Sequence, residues 1–307
     1  MYPHDTAIER AARRSGQGLI WGVMAIGVYI TYKVLDIADL TVDGSICTGA
    51  AVCTMLLLGG QSPWLALLCA VLAGVLAGAV TGLLHVGLGI PPILAGILTQ
   101  MVLWSVNLKL LGKANQALPA RTTPVLLSQM DVGGALPVLL GFCVVLVALL
   151  VLFFGTELGC ALRATGCNPV MSRAQGVNTG LMKVVGLALS NGVVALSGAL
   201  LCQYQGYTDV NMGRGAVVIG LAAVVIGQAV LGRRGGRMAV QLGGVILGAM
   251  IYYIVYQVII FAGFDTDLLK MFSAVVVAVF LGAPHVKAQL KAHSRSKKGD
   301  SGHAENE

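Results

Sequence analysis

The sequence predicts an all-α fold, a polytopic membrane helix bundle with about eight or nine membrane segments. The first observation is composition: 57% of the 307 residues are hydrophobic and only 11% are charged, with a mean hydropathy of +0.84. Soluble domains carry about 25% charged residues. The second is that apolar runs of about 20 residues, long enough to cross a bilayer as helices, recur along the chain. The third is that these runs do not alternate with polar residues, which disfavours a β-barrel.

The apolar runs divide the chain into three parts. A basic N-terminal segment (1–17) precedes a transmembrane domain (18–285), and a polar tail (286–307) is predicted to be disordered because it has few apolar residues. The predicted helices lie at about 18–35, 46–59, 64–87, 92–111, 135–154, 183–205, 215–231, 238–262 and 267–283.

The distribution of Lys and Arg predicts the orientation of the chain. The N-terminus, the 156–182 loop with Lys183, the 232–237 loop and the C-terminal tail hold fourteen of the twenty Lys and Arg residues. Cytoplasmic loops carry this excess. We therefore expect all four regions, including both termini, in the cytoplasm. We interpret the net charge of +7 as a signal of membrane orientation. It does not indicate nucleic-acid binding, because no soluble domain is present to offer a basic surface.

The stretch "VLDIADLTVDGSICTG" (34–49) places three aspartates between apolar segments. With both termini inside, 18–59 must cross the membrane an odd number of times, yet it holds two apolar pieces. The second piece, about 14 residues, spans only about 21 Å. We therefore predict one broken or re-entrant helix near 36–59, where irregular backbone is shielded by protein. The alternative is nine plain spans with the N-terminus outside.

Small residues recur every fourth position in the third segment, from Ala70 to Gly82, and again at Gly244 and Gly248. Such a stripe lets another helix approach closely. The spacing is compatible with packing inside one subunit or with a contact between two copies.

The chain shows no catalytic or metal-binding pattern. Its seven cysteines form no CxxC or Cys/His cluster. The glycine-rich "GQAVLGRRGGRM" lacks the Gly-Lys-Ser/Thr of a phosphate-binding loop, so ATP hydrolysis by that route is excluded. Ionisable residues within the spans are scarce, apart from His85 near a helix end. That scarcity weakens the case for a proton-coupled transporter, and an intramembrane enzyme has no supporting constellation.

The loop "GTELGCALRATGCNPVMSRAQGVNTGLMK" (155–183) is long enough for two short helices broken at Asn168-Pro169. Apolar residues are frequent in it, whereas a disordered loop would be more polar. Two interpretations are open: a self-packed connector, or a docking surface for a cytoplasmic partner.

Four segments resemble the permease subunits of bacterial ABC importers of the ribose and branched-chain amino-acid type. The loop matches the family's Gly-x-Asn and Ala-x-Gly pattern at Gly166, Asn168, Ala174 and Gly176. "DLTVDGS" (39–45) resembles Asp-Leu-Ser-Val-Gly-Ser, with an additional Asp43. "GLAAVVIGQAVLGRRGG" (220–236) resembles a later family segment. "GIPPILAGILTQMVLWSVNLKLLGKAN" (89–115) is similar to the branch of putative tryptophan/tyrosine-type permeases. The resemblance covers about 18–285.

The resemblance implies a division of labour in an importer of the bacterial inner membrane. Two permease copies form the pore as a homodimer, two cytoplasmic ATPase subunits bind the coupling loops, and an extracytoplasmic binding protein delivers the solute. This chain would then be a transport subunit rather than an enzyme. It would bind no cofactor itself, because ATP and Mg would be held by the partner ATPase. The residues expected at the ATPase contact are Glu157, Arg163, Gly166, Asn168, Arg173, Ala174 and Gly176.

The solute path is predicted from polar residues within or between spans. The candidates are Asp39, Asp43, Ser45, Gln100, Asn107, Asn191 and Tyr204. Hydrogen bonding between helices is the alternative role for each of them. The 112–134 loop, with Lys113, Arg121 and Asp131, is expected to contact the binding protein.

The expected function is ATP-driven import of a small solute by alternating access, with an amino acid, and an aromatic one first, expected from the branch resemblance. The alternative is a self-contained secondary transporter or channel. Co-purification of an ATPase subunit discriminates the two, as does transport driven by an ion gradient without an ATPase.

Overall fold

A computed structural model describes residues 7–119, 123, 125–129, 132–231 and 237–261, together with 271, 275, 278 and 282. For 7–14, 132 and 257–261 it describes the backbone alone. The predicted disordered tail (286–307), Arg121, Asp131 and most of the predicted segment 267–283 lie outside the described residues. The chain divides into a compact unit of residues 1–255 and a second unit of residues 256–307.

The described part of the chain is helical apart from one small ribbon of two strands. The helices are α1 (Ala7–Tyr29), a π-helical turn (Ile30–Val34), α2 (Val42–Leu58), α3 (Pro63–Gly87), α4 (Pro92–Leu111), α5 (Val132–Gly155), α6 (Glu157–Cys167), α7 (Pro169–Ala174), α8 (Thr179–Gln205), α9 (Ala216–Leu231) and α10 (Met238–Phe261). Strands β1 (Asn115–Ala117) and β2 (Tyr207–Asp209) pair antiparallel. The ribbon was not predicted; it joins the segments that follow α4 and α8.

Five of these helices are long and apolar enough to cross a membrane, namely α3, α4, α5, α8 and α10. The helices α2 and α9 are apolar but shorter, at 17 and 16 residues. This arrangement confirms the predicted polytopic bundle.

Helix α8 lies at the centre of the bundle. Inside its most apolar window 72% of the residues are buried, compared with 22–39% in the four other long helices. It packs against α1, α2 and α3. The outer helices instead expose large apolar side chains such as Leu72, Leu76 and Leu152. Because these faces are apolar, lipid is the solvent that suits them.

The stripe of small residues in α3 packs against α8 within the same subunit. A Cβ atom on Gly74 or Gly78 would collide with the α8 backbone at Asn191 or Leu187, and one on Gly82 would lie 2.8 Å from the Cα of Val184. Similarly, Gly244 and Gly248 of α10 face α9. The glycines therefore allow backbone contact between helices. The predicted roles were packing inside one subunit and contact between two copies, and the structure shows the packing inside one subunit.

Helices α1 and α8 run antiparallel, with 16–27 of α1 lying along 190–204 of α8. Ser190 Oγ donates to the carbonyl of Gly27 and Ser197 Oγ donates to that of Ile20, each at 2.8 Å. Gly16 lies against Tyr204 at the end of α8, whereas the Val34 carbonyl lies against Gly166 of α6. The first helix thus begins at the end of the bundle that holds β1 and β2, and it finishes at the end that holds α6 and α7.

Helix α1 and helix α2 are separated by a break, as predicted. The π-helical turn ends at Val34, Asp36 takes a left-handed conformation at φ 57°, and an irregular segment runs to Thr41. This segment carries the chain back to the middle of α8, where α2 begins. From there α2 runs parallel to α8, with Ser45 beside Asn191 and Cys53 beside Gln203. At 1.5 Å per residue, 17 residues cover about 25 Å, enough to reach the strand end from mid-depth.

The predicted orientation of the N-terminus does not agree with this path. The sequence placed the N-terminal segment and the 156–182 loop on the same side, whereas the start of α1 and the α6–α7 pair lie at opposite ends of the bundle. The prediction that the N-terminal segment and the 156–182 loop share one side of the membrane is therefore wrong. Helix α1 passes through the full bundle, and α2 returns from mid-depth to the end where α1 began. The region 18–59 therefore makes an even number of crossings. A count of basic residues contains no information on such a return.

Candidate functional site

The 156–182 loop forms two short helices, α6 and α7, as predicted. Thr156 begins α6, since its hydroxyl accepts a hydrogen bond from the Gly159 amide at 3.3 Å. Asn168 ends α6 and begins α7; its Oδ1 accepts from the amides of Val170 and Met171 at 3.1 and 3.0 Å. Asn is a preferred residue at this position, and Pro169 suits the first helical turn. The loop therefore has a defined shape.

The seven predicted ATPase-contact residues divide into two groups. Gly166 packs on the Val34 carbonyl, Asn168 caps α7, and Gly176 takes a left-handed conformation at φ 84°. These three determine the shape of the loop. The exposed residues Glu157, Arg163, Arg173 and Ala174 can contact another chain. Within the loop, Arg173 also donates to the Thr179 hydroxyl at 3.2 Å.

The loop presents apolar side chains to its surroundings at the end of the bundle. Val170 and Met171 of α7 are 77% and 61% exposed, and Leu158 of α6 is 54% exposed. In contrast, Leu162 is fully buried and anchors α6 on the bundle. A self-packed connector would bury all four of these residues. Exposed apolar residues beside charges are typical of a docking surface.

A polar network lies in the middle of the bundle. The Asp39 carboxylate accepts from the Thr41 amide at 2.8 Å and from Asn191 Nδ2 at 2.7 Å. Ser45 Oγ donates to Asn191 Oδ1 at 2.6 Å, and the hydroxyls of Thr41 and Thr81 lie 2.9 Å apart. All of these residues are buried. The network joins α2, α3 and α8 around the helix break, and each group in it has a partner.

Asp43 holds the beginnings of two helices together. It lies in the first turn of α2, and its carboxylate accepts from the amides of Gly215 and Val217 at 2.9 and 3.0 Å, where α9 begins. A carboxylate is favoured at such positions because helix N-termini leave amide groups unpaired. The contact joins residues 172 positions apart in the sequence.

A cavity of about 580 Å³ opens beside Asp43, between α2, α4 and the 210–214 segment. Its polar lining includes Asp43, Gln100, Asn107, Ser105 and Arg214. Its apolar lining includes Ile97, Met101, Trp104 and Val210. The size and the mixed lining are typical of small-molecule sites. The α4 residues lie on one face of the helix because they recur at three- and four-residue intervals.

Asn107 differs from the other buried polar residues. It is 1% exposed, and its Nδ2 has no hydrogen-bond partner among the residues that the structure describes. Buried polar groups are nearly always paired. An amide that lacks a partner and lines a cavity is a donor available to whatever occupies the cavity.

The predicted solute-path residues do not form one site. Asp43, Gln100 and Asn107 line the cavity, whereas Asp39, Ser45 and Asn191 form the buried network. Tyr204 is buried against Gly16 near the strand end. Sequence reasoning missed Met101, Trp104 and Arg214. The helical spacing of Gln100, Trp104 and Asn107 could have indicated a shared face, but no pattern in the sequence indicated that Arg214 would meet α4.

Comparison with known proteins gives one family. A sequence profile described as "Branched-chain amino acid transport system / permease component" matches residues 12–283. The chain is similar to a tyrosine transport system permease protein of Clostridioides difficile, with 38% identity over 278 residues, covering 90% of this chain and 91% of the relative. No solved structure matches the chain.

Two further relatives extend the comparison. An uncharacterized protein of Rickettsia prowazekii is 33% identical over 270 residues, covering 87% of this chain and 95% of the relative. An autoinducer 2 import system permease protein of Escherichia coli is 29% identical over 240 residues, covering 75% of this chain and 66% of the relative. The profile spans almost the whole helix bundle, including the α6–α7 loop, which confirms the resemblance seen in the sequence. The chain therefore belongs to the branched-chain amino acid transport system permease family, the membrane-spanning permeases of ABC importers.

Proposed function

We propose that this chain is the pore-forming subunit of an ATP-driven importer in the bacterial inner membrane, and that it moves an amino acid by alternating access. Two copies would form the pore, two cytoplasmic ATPase subunits would bind the α6–α7 loops, and an extracytoplasmic binding protein would deliver the solute. The observation that carries the proposal is the exposed, capped α6–α7 pair at one end of the bundle, with Val170 and Met171 facing outward.

The coupling step requires a surface that transmits ATPase movement to the bundle. Gly166 of α6 lies against the Val34 carbonyl, and Leu162 packs near Gly186 of α8. A displacement of α6 would therefore act on the end of α1 and on the central helix. ATP binding can shift the bundle between inward- and outward-open states only if the docked ATPase contacts them differently.

The solute class rests on the relatives. The Clostridioides difficile relative is named for tyrosine transport, and we extend amino-acid import, with aromatic residues favoured, to this chain. Scaffold similarity does not by itself determine the substrate. The runner-up, a proton-coupled secondary transporter, would use titratable groups at membrane depth. The two candidate carboxylates are already hydrogen-bonded, Asp39 to Thr41 and Asn191 and Asp43 to the amides of Gly215 and Val217.

With the α6–α7 loop in the cytoplasm, the start of α1 faces the extracytoplasmic side. We also propose a cytoplasmic C-terminus, because the tail is rich in Lys and Arg. Lys113, which is exposed, then lies at the outer end, and the 112–134 loop remains the proposed contact for the binding protein.

Reconstitution tests the proposal. The full-length chain is placed in proteoliposomes with the ATPase subunits and the binding protein, and uptake of labelled L-tyrosine is measured. We expect uptake that requires ATP and all three components. Uptake driven by an ion gradient without the ATPase would instead support the secondary transporter.

A further inference from the structure

The cavity between α2, α4 and the 210–214 segment carries opposite charges and an unpaired amide beside an apolar wall. We propose that it is a solute-binding site for a zwitterionic α-amino acid with an apolar or aromatic side chain. In this assignment Arg214 binds the carboxylate, Asp43 binds the ammonium group, and Trp104 and Met101 contact the side chain. The assignment rests on the proposed function, because it names the solute class and the residues that would select it.

The acidic side of the site is rigidly held. Both oxygens of Asp43 accept backbone amide bonds, from Gly215 and from Val217. Each carboxylate oxygen can accept a second hydrogen bond. The carboxylate is thus fixed in one orientation by the protein and still has acceptor capacity for an ammonium group. Fixing a binding group before the ligand arrives lowers the entropy cost of binding.

The basic side lies next to the acidic side because of the chain connectivity. Arg214 directly precedes Gly215, whose amide binds Asp43, and both Arg214 and Asp43 line the cavity. The structure shows no hydrogen bond from the Arg214 side chain to any described residue. A guanidinium presents donors that fit a carboxylate in a bidentate arrangement.

Asn107 adds a directional requirement. Its buried Nδ2 is a donor, so it needs an acceptor oxygen from the occupant. The amino-acid carboxylate or a side-chain hydroxyl supplies such an oxygen. An apolar occupant would leave the amide unpaired, at the desolvation cost that buried polar groups carry.

The remaining wall selects the side chain. Ile97, Met101, Trp104 and Val210 are apolar, and Met101 and Trp104 are large and polarisable. Met and Trp make favourable contacts with aromatic rings. A phosphorylated solute or a dicarboxylate would meet repulsion from Asp43, and a sugar would leave both charges without ionic partners. The charge pattern therefore favours a zwitterion over these other solute classes.

The test measures binding apart from transport. The full-length permease and its ATPase subunits are placed in nanodiscs without the binding protein, and labelled L-tyrosine is the probe. Tyramine lacks the carboxylate, and 3-(4-hydroxyphenyl)propionate lacks the ammonium group; both serve as competitors. Since charge-assisted hydrogen bonds are strong, we expect each competitor to bind about tenfold more weakly than tyrosine, or weaker still.

Two variants test the contributions of Arg214 and Asp43 separately. Arg214→Gln should weaken tyrosine and the propionate about tenfold and leave tyramine unchanged. Asp43→Asn should weaken tyrosine and tyramine and leave the propionate unchanged. Lys109→Gln, which removes an exposed charge from α4 outside the cavity, should change none of the three. Because Asp43 also joins α2 to α9, its variant is read only from protein that elutes as a single species, and Arg214→Gln tests the proposal independently.

Two results would overturn the assignment: a wild-type protein that binds no tyrosine, or an Arg214→Gln protein whose affinity for tyrosine and tyramine changes equally or not at all. The proposed function fails separately. Uptake in the reconstituted importer that does not require ATP would reject that function even when tyrosine binds in the cavity.

Discussion

Asn191 Nδ2 donates a hydrogen bond of 2.7 Å to the Asp39 carboxylate at the middle of α8, across 152 residues of sequence. The same side chain donates to the Leu187 carbonyl at 2.9 Å and accepts from the Ser45 hydroxyl at 2.6 Å. One amide therefore connects the broken segment to both α2 and α8. Removing it would leave a buried carboxylate and a buried hydroxyl without this partner, which is costly inside a low-dielectric bundle.

We expect Asn191→Leu to destabilise the protein by about 3 kcal/mol, because it strips partners from Asp39 and Ser45 together. The measurement is the thermal unfolding temperature of purified protein in detergent. Ser197→Ala is the matched control: Ser197 makes one bond, to the Ile20 carbonyl, and its loss should cost about 1 kcal/mol. Equal effects from the two variants would mean that the network around Asn191 stabilises the protein no more than a single hydrogen bond does.

Asp39→Ala should act on stability before it acts on solute choice. Asp39 is 6% exposed and does not line the cavity, so the loss of its carboxylate should lower the unfolding temperature and leave the relative uptake of different amino acids unchanged. The measurement is uptake competition by the folded fraction. A well-folded Asp39→Ala protein with altered solute preference would move this residue into the solute path.

The two glycines Gly78 and Gly87 of α3 provide a matched pair for the packing of the bundle. A Cβ on Gly78 collides with the α8 backbone at Leu187, whereas one on Gly87 meets nothing within 4 Å. Gly78→Ala should therefore cost about 2 kcal/mol through overpacking. Gly87→Ala should be neutral or stabilising by less than about 1 kcal/mol. Thermal unfolding of both variants decides the matter; comparable losses would contradict the close approach of α3 to α8.

Asn168 permits a test of whether loop shape governs coupling. Asn168→Ala removes the cap of α7, at a cost of about 1 kcal/mol, and should lower transport per ATP hydrolysed in the reconstituted importer. Asp is also a good cap, so Asn168→Asp should restore coupling. If the Asn168 side chain contacts the ATPase directly, the Asp variant should remain defective, and that result would reject the shape-based role.

The docking surface on α7 has its own variants. Val170→Asp places a charge on a side chain that is 77% exposed and should abolish co-purification with the ATPase without lowering the unfolding temperature. Val170→Thr keeps the shape with a smaller polar change and should retain most of the association. Normal ATPase binding by Val170→Asp would remove α7 from the interface.

The orientation of α1 is tested by labelling from the two sides of the membrane. Cys160 and Cys167 are exposed on α6 and serve as natural reporters of that end. A membrane-impermeant maleimide should label them in inverted vesicles and spare them in spheroplasts, while an epitope tag at the N-terminus should be detected only in spheroplasts. Detection of both in the same preparation would restore the arrangement that the Lys and Arg count predicted.

Much of the site lay beyond sequence reasoning for a physical reason. The loop pattern around Asn168 is local, since capping and a proline break involve residues a few positions apart, and the prediction of two short helices is confirmed. Arg214 and Asn107 are more than a hundred positions apart. They line one cavity because the 210–214 segment lies beside α2 and α4, and only the packing of those helices establishes this.

The sequence by itself determined the bundle: long apolar runs must be helices in lipid, where each backbone amide needs an internal partner. It also determined the break, because the aspartates at 36–43 interrupt an apolar run. The direction of α1 was decided by tertiary structure alone. Charge counting assumes full crossings, whereas the irregular 35–41 segment returns the chain to mid-depth. There Asn191 donates a hydrogen bond to Asp39, and the Gly215 amide before α9 donates one to Asp43. Contacts between residues 152 and 172 positions apart depend on the whole fold and are therefore absent from any local pattern.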